Sequence, residues 1–179
     1  SKKTESNGLD YDYITEYSYG IFESLSLIIP RIQGGGSREN LGSDSELYEF
    51  LVKRGVSIKQ SNDFVSYVPT YWGSQPILEA PAYIGIVVFI FALFAIISLK
   101  GPLRNSLLIA SILSLILSWG KNFSILTDFF IYNVPFYNKF RAVSSIQVIL
   151  ELCIPILAVL GLQRLLSDPN KYFKTFTKI

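Results

Sequence analysis

The chain has 179 residues, of which half are hydrophobic and only 17% are charged. A soluble domain usually carries about 25% charged residues, so this composition favours a membrane protein. The net charge of +2 is too small to indicate a nucleic-acid partner. The chain has no histidine and a single cysteine, Cys153, which removes the commonest general base and excludes a disulfide framework or a zinc cluster. The first residues are polar and lack the apolar segment of a signal peptide, so we expect the sequence to be an interior piece of a longer protein.

Residues 1–79 are predicted to form a loop region with short helices. Residues 17–29 (YSYGIFESLSLII) are apolar but stop at Pro30, and this length favours an amphipathic or re-entrant helix over a membrane span. A second helix is expected over residues 44–54. There the run SDSELYEFLVKR begins with a capping box at Ser43, has acidic residues first and ends with basic ones.

Two carboxylates one residue apart stand near the start of the chain, in the run GLDYDYIT. On an extended backbone Asp10 and Asp12 would point the same way and could share a divalent metal ion or an acceptor sugar. On a helix the two side chains would diverge. A capping or solvated-loop role is the alternative, and the spacing leaves both interpretations open.

Three later stretches have the apolar character of membrane spans. Residues 80–99 contain no charge, and about 20 residues cross a ~30 Å hydrocarbon core. Residues 103–120 follow after a short turn, and small polar residues on one face of this stretch favour close helix packing over a polar conduit. Residues 142–163 are interrupted only by Glu151. We therefore predict a mainly α-helical membrane protein with about three transmembrane helices and a partly helical extracytoplasmic loop region.

The basic residues predict the orientation of these spans. Short basic loops mark the cytoplasmic side of a membrane. Lys100 and Arg104 lie in the first hairpin, and the tail at residues 164–179 carries four further basic residues. With three spans, both segments fall on the cytoplasmic side. Residues 1–79 and 121–141 then lie outside.

An ordered set of short motifs resembles a known family. The runs are NGLDYDYITEYSYGIFESLSLIIP, GGGS, PTYWGSQP, LSWGKNF and YNKFRAVSSIQVI. Together they are similar to YfhO-type bacterial membrane proteins, in particular the versions found in Bacteroidetes. The resemblance implies a multi-pass inner-membrane protein of the glycosyltransferase-C type. Such proteins are expected to transfer a sugar from a polyprenyl-phosphate carrier on the outer face of the membrane. The resemblance also implies that the main catalytic acid lies in an earlier outer loop, outside this piece.

A lipid-linked donor presents a phosphate at the membrane surface with a sugar above it. Its recognition calls for cations and for aromatic rings that stack on the sugar. The 121–141 segment carries three basic residues that suit the phosphate, Lys121, Lys139 and Arg141. Arg141 is the preferred candidate because a guanidinium offers a two-pronged donor, although ordinary contact with lipid headgroups is the alternative. Tyr71 and Trp72 are candidates for sugar stacking, with anchoring at the membrane interface as the alternative.

Glu151 is a carboxylate inside a predicted span, where it has to face protein or water. It is expected either to pair with a helix that this piece does not contain or to line the donor cavity. The expected partners are therefore the bilayer, the remaining helices of the same protein and a polyprenyl-phosphate-linked sugar. A transport or binding module without chemistry, or a structural subunit of a membrane assembly, would show the same features.

Overall fold

A computed structural model describes residues 9–177, apart from the side chains of residues 174 and 175. The ends of the predicted outer region and tail, at residues 1–8 and 178–179, lie outside the described residues. The α-helices in the described part are α1 Tyr11–Ile14, α2 Glu46–Lys53, α3 Ile58–Val65, α4 Ile86–Ser98, α5 Pro102–Ser118, α6 Ser124–Asn133, α7 Gln147–Ser167 and α8 Pro169–Phe176. Four short 3-10 helices occupy Phe22–Leu27, Gly120–Phe123, Tyr137–Lys139 and Val143–Ile146. The prediction of a mainly helical chain is confirmed.

The three longest helices form a layer in which α7 lies between α4 and α5. The core of this layer consists of apolar residues, Leu27, Ala92, Ala95, Leu150, Ile154, Leu157 and Ala158. Helices α4 and α7 approach closely, because a Cβ atom added at Gly161 would lie only 2.3 Å from the carbonyl oxygen of Phe91. On the other side, the Ser114 hydroxyl of α5 donates to the carbonyl oxygen of Ile146 over 2.6 Å. Gly161 and Ser114, both small residues, thus lie where α4 and α5 approach the segment Val143–Ser167.

One described helix has the length and composition of a membrane span, the 25-residue segment Val143–Ser167. The segment Pro102–Ser118 meets this criterion only together with Gly120–Asn133, and the two parts join at a bend of 111°. Such a bend is typical of a broken span or a re-entrant loop. The described residues therefore contain one candidate span, or two if the bent pair is one span, where three were predicted.

Helix α4 has 13 residues and is shorter than the predicted span at 80–99. The five residues before Ile86 lack regular structure. Pro81 has no backbone N–H, and Gly85 adopts a positive φ of 103°. In addition, the amide of Ile84 donates to the carbonyl oxygen of Leu27 over 3.0 Å instead of joining a helix. A tertiary contact thus replaces the first turn and a half of the predicted helix.

Two of the helices before the layer, α2 and α3, follow serine caps. Helix α2 falls within the predicted range 44–54, but its N-cap is Ser45, whose hydroxyl accepts an amide hydrogen bond, and not Ser43. Helix α3 begins after a similar cap, Ser57, whose hydroxyl accepts from the amide of Gln60. In the range 17–29, where a longer helix was expected, the structure contains the short helix Phe22–Leu27.

We call residues 9–79 the cap. The cap joins the layer at the end where α5 ends and α7 begins. The amide of Tyr19 donates to the carbonyl oxygen of Ser118 over 2.9 Å. The amide of Ser144 donates to the carbonyl oxygen of Tyr17 over 3.2 Å. The cap therefore covers one end of the layer, and the hairpin between α4 and α5 lies at the other end.

The predicted basic tail at 164–179 contains the end of α7 and the helix α8. Helix α8 folds back against α4, where the rings of Phe176 and Phe91 stack 5.2 Å apart. The Arg164 guanidinium lies 4.7 Å from the centre of the Tyr172 ring. The described part of the tail is thus a packed helix.

Candidate functional site

A pocket of about 320 Å³ opens beside the start of α7. Its walls are almost entirely apolar, and its lining residues are Tyr137, Phe140, Arg141, Ala142, Val143, Ser145 and Ile146. Ala142 has a φ of 63°, a left-handed conformation that costs energy for a residue with a Cβ atom. Burial raises the pKa of Tyr137 above its ordinary value, so this wall of the pocket stays uncharged. The pocket therefore combines an apolar interior with one cation at its edge.

Arg141 is held by residues of the cap. Its guanidinium donates to a carboxylate oxygen of Glu16 over 2.8 Å. It also lies over two aromatic rings, 4.5 Å from the centre of Tyr13 and 5.3 Å from the centre of Tyr17. The hydrogen bond to Glu16 raises the pKa of Arg141, so the side chain keeps its positive charge. Nevertheless the Arg141 side chain is 44% exposed, which leaves one side of it open to a ligand.

The other two predicted cations lie at the same end of the layer. The amide of Lys121 donates to the Ser18 hydroxyl over 3.0 Å, two residues from the partner of Arg141. Lys139 stands two residues before Arg141 in the short helix Tyr137–Lys139, and both lysines are exposed. The structure therefore places the three predicted basic residues at one end of the layer, where Lys121 and Arg141 contact Ser18 and Glu16 of the cap.

The predicted stacking residues lie in the neighbouring part of the cap. The Tyr71 hydroxyl donates to the carboxylate of Glu23 and accepts from the amide of Gln75. Burial and the bond to Glu23 raise the pKa of Tyr71. Trp72 is 67% exposed, so its ring remains available to a ligand. Gln75 also accepts from the hydroxyl of Ser144 over 3.4 Å, which connects this cluster to the residues that line the pocket.

The cap also contains a buried carboxylate, that of Glu23, which the sequence motifs did not indicate. Its side chain is only 1% exposed. It accepts hydrogen bonds from the amides of Gly20 (3.0 Å) and Ser74 (3.4 Å), from the Gln75 side chain (3.3 Å) and from Tyr71. A buried carboxylate is stable only with such a set of donors. The available signal was a lone acidic residue in the apolar run at 17–29.

The two aspartates near the start of the chain occupy a short helix. The Asp10 carboxylate accepts from the amide of Asp12 over 3.2 Å and thereby caps α1. Both aspartates are exposed, and among residues 9–177 no group of three or more His, Cys, Asp or Glu side chains is placed to hold a metal ion. Tyr11, between them, contacts α6. Burial and a hydrogen bond with Asp128 of α6 raise the pKa of Tyr11 to about 12. Asp10 thus has the capping role that the sequence left open, and a metal or acceptor-sugar role of the pair stays a prediction.

Glu151 lies on a separate surface. It is exposed in an apolar groove of α7 that shares no lining residue with the Arg141 pocket. The predicted donor-binding residues thus divide into two groups, one around Arg141 and one at Glu151.

Neither a protein-family model nor a curated protein nor a solved structure matches this chain.

Proposed function

We propose that this chain is part of a multi-pass bacterial inner-membrane protein that binds a polyprenyl-phosphate-linked sugar, as the donor site of a YfhO-like glycosyltransferase of the C type. The observation that carries the proposal is the pocket at the start of α7, where apolar walls meet the exposed side of Arg141. A lipid phosphate needs this combination, because its tail has to be buried while its headgroup meets a cation.

In this proposal α7 crosses the bilayer, and α4 and α5 accompany it. The cap and residues 121–141 lie on the outer side, as the basic residues of the hairpin and tail predict. The Arg141 pocket then lies at the outer interface, at the level of the lipid headgroups. A polyprenyl-phosphate donor presents its phosphate at the same level.

Arg141 can bind a phosphate while it keeps its contact with Glu16. A guanidinium carries five N–H donors, and the described hydrogen bond to Glu16 uses one nitrogen. Tyr13 and Tyr17 restrict the orientation of the guanidinium plane. The remaining donors would form parallel hydrogen bonds to two phosphate oxygens, which a lysine cannot do.

The apolar interior of the pocket suits the first isoprene units of the donor. Small-molecule sites usually have volumes of about 300–1,000 Å³, and the volume of about 320 Å³ lies at the lower end. The pocket is therefore too small for a whole polyprenyl chain. The rest of the chain would extend along the apolar helices into the bilayer.

The test is donor binding by purified protein in nanodiscs of zwitterionic lipid. A labelled polyprenyl-phosphate sugar is titrated against wild type, Arg141→Lys and Arg141→Ala. We expect both substitutions to weaken binding by about tenfold, because both remove the bidentate hydrogen bonds between the guanidinium and the phosphate. Lys100→Ala, at the opposite end of the layer, is the matched control and should leave binding unchanged.

Two outcomes would contradict the proposal. If wild type and Arg141→Lys bind equally and only the alanine variant is weaker, general electrostatic attraction explains the binding. If all variants bind equally, Arg141 is not part of the site. Sugar transfer to an added acceptor would indicate the enzyme, whereas binding without turnover would indicate the transport or binding module.

A further inference from the structure

One face of α7 is not covered by the rest of the described chain. The opposite face contributes Leu150, Ile154 and Leu157 to the core. On the uncovered face the exposed fractions are 64% for Val148 and 63% for Leu152. An apolar groove of about 310 Å³ lies along this face. It is lined by Glu151, Leu152, Pro155, Ile156, Val159 and Leu160.

Glu151 lines this groove with its side chain, and its backbone carbonyl oxygen lacks the usual partner within the helix. The Glu151 side chain is exposed in it. Pro155 lies inside α7, four residues later, and proline has no N–H. The carbonyl oxygen of Glu151 therefore loses its normal partner in the helix, the amide at position 155. Glu151 thus has a carboxylate and a carbonyl oxygen without its usual helical partner, at one position of an otherwise apolar surface.

The position of Glu151 makes these acceptors costly if α7 crosses the membrane, and the inference rests on that part of the proposed function. Glu151 follows Val143 by eight residues, which is about 12 Å at 1.5 Å per residue. It therefore lies well inside the hydrocarbon region rather than at the interface. Polar groups at this depth almost always face other protein and pair there.

We propose that the groove around Glu151 docks a further transmembrane helix that carries an arginine or lysine side chain at this depth. A basic side chain supplies several donors together with the complementary charge, so it can serve the carboxylate and the carbonyl oxygen at once. Lipid tails supply neither. A helix with only apolar residues would bury the groove and leave both acceptors unpaired.

A second copy of this chain is a poor candidate for the occupant. Helix α4 contains no basic residue, and α5 contains only Arg104, near its first turn at the far end of the layer. In α7 the only basic residue is Arg164, which follows Glu151 by 13 residues. A copy inserted in the same orientation would therefore offer no cation at the depth of Glu151. The complementary charge has to come from a different helix.

Site-specific photo-crosslinking tests this proposal in membranes of the bacterium that produces the protein. A photoreactive amino acid replaces Leu152, which lies beside Glu151, and the crosslinked peptide is sequenced. We expect the adduct to be an apolar helix that contains an arginine or lysine. Glu151→Gln should lower the yield of this adduct about tenfold, because it removes the charge and keeps the shape. The matched control places the same reagent at Ile109, which is 63% exposed on α5, and its adducts should not respond to Glu151→Gln.

A charge exchange gives the second measurement. Glu151→Arg should abolish the adduct, and replacing the basic residue of the captured helix by glutamate should restore it. An adduct with a second copy, with lipid alone or with a helix that has no basic residue would overturn the proposal. So would an unchanged yield in Glu151→Gln, provided that the variant keeps wild-type abundance and melting temperature.

Donor binding is measured separately on the Arg141 variants. A wild-type adduct at Leu152 without donor binding would therefore refute the proposed function and leave the docking proposal in place. Accessibility of cysteines at Ser145 and Ser167 to an impermeant reagent shows whether α7 crosses the membrane. Labelling of both from the same side would refute the docking proposal directly.

Discussion

Glu23 and Glu151 carry the same sequence signal and have opposite surroundings. Each is the only acidic residue of an apolar run. The structure buries Glu23 completely and surrounds it with donors from the cap, whereas Glu151 is exposed on the uncovered face of α7. A lone carboxylate in an apolar segment therefore indicates that donors exist, without indicating where they come from. For Glu23 they belong to the described chain, and for Glu151 we infer that they belong to another helix.

The largest expected effect is that of Glu23→Leu. This change leaves the amide of Gly20 and the side chains of Tyr71 and Gln75 without their acceptor in a buried position. We expect the free energy of unfolding of the cap to fall by about 3 kcal/mol. Thermal unfolding in detergent, followed by tryptophan fluorescence, measures it, because Trp119 donates to Ser24 beside the cluster over 2.7 Å.

Glu151→Leu is the matched control for Glu23→Leu. In the purified chain it removes an exposed carboxylate, and we expect a change within about 0.5 kcal/mol. Equal losses in the two variants would contradict the difference between the two glutamates. A large loss for Glu151→Leu alone would show that its donors are already present in this chain.

Gly161→Val should have the next largest effect on the free energy of unfolding. Together with its control, Val159→Ala, it compares the covered and the uncovered face of α7. On the covered face, a side chain at position 161 would collide with the backbone of Phe91, which cannot move without displacing α4. We expect a loss of about 1–3 kcal/mol in thermal unfolding, as for other overpacked helix contacts. Val159→Ala, on the uncovered face, is the control and should stay within about 0.5 kcal/mol of wild type. If both variants unfold like wild type, the close contact between α4 and α7 is not present in solution.

Local signals in the sequence predicted parts of this architecture. The long apolar run at 142–163 overlaps the candidate span Val143–Ser167 in all but its first residue, because hydropathy alone selects it. The helix around residues 46–53 follows from a serine cap and a charge gradient. The late beginning of α4, at Ile86 instead of residue 80, was not predictable in the same way. It depends on a hydrogen bond from Ile84 to Leu27, which is far away in the chain.

The site shows the same division between local and distant contacts. Basic character at the start of the last span identifies Arg141 as a candidate. Its partner Glu16 is 125 residues away in the chain, and the Glu23 cluster joins residues 48 to 52 positions apart. Such pairings depend on how the cap folds over the layer. Spacing within one segment contains no information about them.

Glu16→Gln should have the smallest effect on stability and an informative effect on binding. Glu16 is intermediate between the two compared glutamates, since it is half-exposed and has one partner, Arg141. Exposed ion pairs contribute little to folding, so we expect no measurable change in melting temperature. The substitution removes a negative charge beside the proposed phosphate site, and we expect the affinity for the labelled donor lipid to rise about two- to threefold at low salt. At high salt the gain should shrink, because the charges are partly exposed.

The binding measurement distinguishes two roles of Glu16. If Glu16 only competes with the phosphate for Arg141, the gain in affinity should disappear in the double variant Glu16→Gln with Arg141→Ala. If Glu16 mainly orients the guanidinium, Glu16→Gln should weaken donor binding instead, because the guanidinium of Arg141 is then no longer held in one orientation. A rise that persists without Arg141 would mean that the phosphate binds to another cation at this end of the layer, Lys121 or Lys139. The same titration on Lys121→Ala and Lys139→Ala would then identify which of the two it is.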